Sequence, residues 1–151
     1  MFELSFESLH EWCQRQGYEF AENVELGQLA IHHQLLGEPA PLMILPQPPR
    51  GMVMFVMRQP FVVPQDRRAA MVEAAGLLNS MTVMGAWVQN PENREVYFRV
   101  TVPALDIQYT DAGVLHVARI VVSTSERAAA ALQSVALHGA EPAAAIAALP
   151  A

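Results

Sequence analysis

The stretch Val83-Met84-Gly85-Ala86-Trp87-Val88-Gln89-Asn90-Pro91-Glu92-Asn93-Arg94-Glu95-Val96-Tyr97-Phe98-Arg99-Val100-Thr101-Val102 reads as a β-hairpin and sets the fold class. Its flanks are β-branched or aromatic, and Asn90-Pro91 supplies a turn signal between them. Val96, Phe98, Val100 and Val102 fall on one face, and Tyr97, Arg99 and Thr101 on the other. That is the two-residue period of a sheet buried on one side.

Upstream of the hairpin, Ala70, Met71, Ala74, Ala75, Leu78 and Met81 recur at helical spacing in good helix formers, with Asp66 as the expected N-cap. Further upstream, Tyr18 to Pro64 has the texture of strands. Leu29, Ile31, His33 and Leu35 alternate with Ala30, His32 and Gln34, which predicts one half-buried strand. Leu42 to Leu45 is bracketed by prolines at 39, 41, 46, 48 and 49, which predicts an edge strand or an extended connection. Met52 to Arg58 is strongly apolar and predicts a deeper strand ended by Pro60 and Pro64. At the start, Ser5 caps a helix whose inner stripe is Phe6, Leu9, Trp12 and Cys13, and Gly17 stops it.

Downstream, Pro103 closes the hairpin and Thr110-Asp111 caps a helical stretch. Val114, Val117, Ala118, Val121, Ala128, Leu132, Val135 and Ala136 share a stripe. A helix from Asp111 to His138 would be about 42 Å long, against a globule roughly 38 Å across. Either it breaks or another chain covers its end. Ser123-Thr124-Ser125-Glu126 is a capping box, so the expectation is two helices with a bend near Ser123; the β-branched run Val117 to Val122 leaves a strand as the minor alternative. After Gly139, an alanine-rich extension, residues 139–151, has helical composition. The expected class is α+β: a twisted antiparallel sheet of about five strands packed by helices, in the order α-β-β-β-α-β-β-α-α.

Composition narrows the function. Of the 151 residues, 52% are hydrophobic and 16% charged, enough for one packed domain and too apolar for disorder. No apolar run predicts a transmembrane helix, no secretory leader is expected, and a lone Cys13 fits a reducing, cytoplasmic setting. The net charge of −6 and the absence of lysine argue against a phosphate grip. The first 25 residues carry six glutamates against Arg15 alone, an acidic face that favours basic partner segments.

The element order, and above all Ala74-Ala75-Gly76-Leu77-Leu78-Asn79, Trp87, the Asn90-Pro91 turn and Tyr97-Phe98-Arg99-Val100 to Pro103, resembles the YbjN family, whose fold is shared with class I type III secretion chaperones. The resemblance covers roughly residues 5–138 by element order, within one domain of residues 1–138, and the proline-rich segment 39–50 and the extension depart from it. It implies a small acidic protein that forms homodimers, binds other proteins and is associated with stress responses, with no catalytic signature to carry over.

The candidate chemistry is sparse. His10 and Cys13 stand one turn apart, but two ligands do not make a metal site. His32 and His33, as strand neighbours, are expected on opposite faces, and His116 and His138 are isolated. Asp66 with Glu73, or Asp106 with Asp111, read as caps and turns before they read as acid–base pairs. No catalytic residue, metal or cofactor is therefore expected. The eight methionines stand out, because methionine adapts to irregular contacts. Met52 and Met54 share a strand face and, with Trp12 and Trp87, are the candidate partner-binding residues. Ala128, Leu132, Val135 and Leu137 are the candidate dimer interface, with exchange of the C-terminal helices as its extreme form. The sequence thus reads as a non-catalytic, dimeric protein-binding adaptor. Two alternatives remain: a small-molecule sensor or enzyme with a sheet–helix pocket near Trp12, Trp87 and Tyr97, and single-stranded nucleic-acid binding through Arg67, Arg68, Arg94 and Arg99.

Overall fold

The computed structural model describes residues 1–150. The hairpin forms as its side chains dictate. β7 (Ala86–Gln89) pairs antiparallel with β8 (Glu95–Pro103), and the Asn90 Oδ1 accepts from the backbone N–H groups of Glu92 and Asn93 to hold the turn. Val96, Phe98, Val100 and Val102 are all buried, whereas Tyr97 and Arg99 are partly exposed.

This hairpin adds to an antiparallel sheet of six strands rather than about five. Before α2 (Arg68–Met81) the chain contributes β1 (Phe20–Asn23), β2 (Gln28–Ile31), β5 (Leu42–Gln47) and β6 (Met52–Val62), and the spatial order is β1-β2-β5-β6-β8-β7. A two-stranded ribbon, β3 (Gln34–Leu35) with β4 (Glu38–Pro39), is inserted between β2 and β5. It turns through Leu36 and Gly37, both at positive φ, the conformation a two-residue hairpin requires. The alternation from Leu29 to Leu35 therefore does not run through one strand: it stops at Ile31, and His32 and His33 leave the sheet.

Three further expectations are corrected. Leu42–Gln47 is an interior strand, paired with both β2 and β6; Pro46 is tolerated because it lies past Ile44, where pairing with β2 has ended. β6 runs through Pro60 to Val62, and the proline sits where the register against β8 shifts between Arg58 and Val62. Asp66 does not cap α2 (Arg68–Met81). It lies in a 3-10 turn, Gln65–Arg67, that leads into the helix, whose N-cap is Arg67 without a side-chain bond.

The helices gather on the sheet face that carries Leu29, Ile44, Phe55, Met57, Phe98 and Val100, and these side chains join the helical stripes in one core. α1 (Phe6–Gln16) begins at a Ser5–Ser8 capping box and ends at Gly17 in the left-handed region. α3 (Asp111–Leu137) is a single helix of 27 residues with no break at Ser123. Its inner stripe stays buried along its length because the sheet does not have to cover all of it: α3 packs on β6 and β8 and, toward its C-terminal end, on α2 and α4 (Pro142–Ala147). The residues of the capping box are used differently. Glu126 meets His33, and the Ser125 carbonyl accepts from Gln59 Nε2 at 3.1 Å. Arg67 fastens the far end, donating to the carbonyls of Val135 (2.8 Å) and Ala140 (2.6 Å). No helix among the described residues is long and apolar enough to cross a membrane.

Candidate functional site

Trp12 and Trp87 are core residues, 0% and 3% exposed. Trp12 donates its indole N–H to the carbonyl of Asp111, and Trp87 lies against Phe98. Neither side chain reaches a partner surface, because the stripe and the strand face that carry them turn toward the helices. Ala128, Leu132 and Val135 are likewise buried within the protomer, in the layer formed with α2 and α4; of the four, only Leu137 is exposed, at 46%. The end of α3, expected either to break or to be covered by another chain, is covered by the chain's own α4, whose Ile146 is buried.

Met52 and Met54 do face outward. They stand with Val56 on the sheet face opposite the core, where register places Ala21, Ala30, Met43, Val56, Arg99 and Ala86 in one row across six strands. Val56 is 7% exposed yet stands outside the core cluster. Met54 is partly buried, with Gln47 Nε2 3.0 Å from its sulfur.

Met52 is more open and lies at the end of the sheet, in a groove of about 470 Å³. Val24, Leu26, Met52 and Leu105 line it, and all four are between 43% and 72% exposed. Glu7 and Glu25 stand at its rim. Local geometry explains the exposure. The β1–β2 turn is tied by Asn23 Oδ1 accepting from the Leu26 N–H, which leaves Val24 and Leu26 outside the strands. Across the groove, the Ala104 N–H donates to the Gly51 carbonyl at 2.8 Å, and Leu105 packs so close to Gly51 that a Cβ there would lie 3.1 Å from its own Cβ. Sequence reading found Met52 here but missed Val24, Leu26 and Leu105. The available signal was apolar residues beside a turn glycine and just after a strand-closing proline.

The remaining candidates resolve into structure. Cys13 is fully buried, and burial pushes its thiol up to about 11, which leaves it protonated and unreactive near neutrality. His10 Nε2 lies 3.0 Å from Glu22. Asp111 is held by Arg15 through two bonds of 2.9 and 3.0 Å, and this pairing holds its carboxyl below the usual range. Of the arginines weighed for nucleic acid, Arg67 is committed to backbone carbonyls and Arg94 donates to Gln65. Tyr97 is on the outer sheet face, so the pocket imagined among Trp12, Trp87 and Tyr97 does not exist. His32 and His33 do not oppose one another: freed from strand alternation, both line a separate groove beside α3, together with His116.

No protein-family model matches the chain, and no curated protein matches it. Among solved structures, the crystal structure of YbjN from E. coli, described there as a proposed transcription regulator, superposes with a TM-score of 0.61. The match covers 90% of this chain and 91% of that one, at 11% identity. An agreement over nearly the whole of both chains at so low an identity is one of backbone architecture, and the chain has the YbjN fold.

Proposed function

We propose that this protein is a non-catalytic adaptor that works as a dimer and holds a partner segment with apolar anchors and basic flanks in the groove at Met52. The observation that carries this reading is the exposure of Val24, Leu26, Met52 and Leu105 in one concavity rimmed by Glu7 and Glu25. Large apolar side chains gathered on a surface mark contact sites, whereas single scattered ones do not. The carboxylates would steer a basic segment toward the groove, in keeping with the net charge of −6. Met54 continues the same sheet face beyond Met52. A regulator acting through protein contacts is compatible with the description given to E. coli YbjN.

The test is affinity capture from native cytosol with wild type and three variants, followed by binding measurements on any purified partner. Leu105→Glu should weaken binding by about 30-fold, the loss of one central apolar anchor of about 2 kcal/mol. Glu7→Lys combined with Glu25→Lys should slow association and flatten its salt dependence, while Val72→Glu on α2 should change nothing. A partner held equally well by Leu105→Glu would refute the reading. Light scattering at micromolar concentration tests the dimer, and a monomer mass alone would remove it.

A further inference from the structure

We infer that the groove between α3 and the link from β2 to β3 is a binding site for a small amphipathic carboxylate. It shares no lining residue with the Met52 groove, and its volume of about 570 Å³ falls in the range of small-molecule sites, roughly 300–1,000 Å³. Its walls are apolar and preformed. Ile31, Leu42 and Ala118 are 7%, 2% and 4% exposed, and Ile120 and Val122 complete the surface from the helix.

The polar groups at this groove are of one predominant kind. Arg119 and three of the chain's five histidines, His32, His33 and His116, line it against a single carboxylate, Glu126. Counted with neutral histidines, as the net charge of −6 is, Arg119 and Glu126 cancel, so the groove is locally neutral in an acidic chain. Glu126 is already engaged: its Oε1 lies 3.2 Å from His33 Nε2, although off the line of a hydrogen bond, so that this buried nitrogen keeps its bonding capacity. Arg119 has no hydrogen bond or ion pair among the described residues. It stands close enough to Tyr18 that its charge opposes the upward push of burial on that phenol. An exposed guanidinium without a protein carboxylate, sharing with three imidazoles the lining of a groove whose buried part is apolar, suits a carboxylate head with a hydrocarbon body. A metal suits it less, because no three ligating side chains among the described residues gather closely enough to hold one.

The experiment is calorimetric titration of the full-length protein with octanoate, with 1-octanol as the uncharged control and a tetraglutamate peptide as the anionic control. Octanoate should bind saturably at one site per chain, and octanol and the peptide at least tenfold more weakly. Arg119→Gln should weaken octanoate about tenfold, and Ser123→Trp, which fills the groove from an exposed helix position, should abolish binding while the circular dichroism and melting temperature stay unchanged. The inference falls if octanol matches octanoate, if the peptide binds more tightly than either, if both variants bind as wild type does, or if millimolar octanoate gives no saturable heat. Because the Met52 groove is untouched by either variant, loss of octanoate binding with partner capture intact, or the reverse, separates this site from the adaptor reading.

Discussion

Ser125→Ala should stabilise the protein, although it removes a fully buried polar residue from the middle of the longest helix. Ser125 is 0% exposed and its hydroxyl has no partner, while its backbone carbonyl is the group that Gln59 uses. The substitution keeps that bond and deletes only the unpaired oxygen. Burying a hydroxyl without a hydrogen bond costs about 1–3 kcal/mol, and alanine is favoured over serine in a helix interior by about 0.5 kcal/mol. Against these stands a void of one atom, worth a few tenths of a kcal/mol. The net gain expected is about 1–3 kcal/mol, or a rise in melting temperature of roughly 2–12 °C for a domain of this size. Urea unfolding followed by tryptophan fluorescence suits the measurement, since Trp12 and Trp87 are both buried. The midpoint should move up with the slope unchanged. Ser123→Ala is the internal control: Ser123 is exposed, with its hydroxyl 3.5 Å from the Ile120 carbonyl, and should gain no more than the propensity difference. A loss of stability in Ser125→Ala, or equal gains in the two variants, would refute the reasoning.

Other perturbations test the remaining joints of the fold. Arg67→Ala removes two charge-assisted bonds at the α3–α4 junction and should cost about 2 kcal/mol after allowance for partial exposure; hydrogen exchange should show protection lost first in α4. Protection lost uniformly across the chain would contradict a local clamp. Gly85→Ala should be among the most damaging single changes, costing about 3 kcal/mol or more, because Gly85 has φ +91° and a Cβ would come within 2.6 Å of both the Arg99 carbonyl and the Phe98 ring. Thermal unfolding checks it, and a melting temperature within 2 °C of wild type would argue against that geometry. Cys13 supplies a pH dependence: its folded-state pKa is raised to about 11 from 9.0, so its contribution is fully present below pH 9 and is lost as pH rises toward 11, by about 2–3 kcal/mol in total. Cys13→Ala should flatten stability over that window relative to wild type; identical alkaline profiles would remove the thiol as a cause.

The sequence by itself determined the elements whose partners lie nearby in the chain. Ser5 and Ser8 close their own capping box, Asn90 bonds to the turn it begins, and Val96 to Val102 alternate because a strand alternates whatever it pairs with. The helix-to-hairpin unit followed, and with it the resemblance to the YbjN fold, although six strands rather than three precede α2 and one helix spans Asp111–Leu137. Tertiary structure decided whatever depended on distant neighbours. Ser123-x-x-Glu126 carries a start signal, yet the helix continues because His33, Gln59, α2 and α4 engage and cover it on both sides of that point. Leu42 to Leu45 is bracketed by prolines yet lies inside the sheet, since Pro46 falls past the end of β2. The candidate sites divide along the same line. Met52 was visible as one methionine of a strand, but Val24 and Leu105 reach it from segments on either side in sequence, and His116 joins His32 and His33 only because α3 crosses near the point where β2 ends. Local bonding rules read along the chain, whereas burial and convergence are properties of packing, which brings together residues whose separation in sequence carries no signal of their contact.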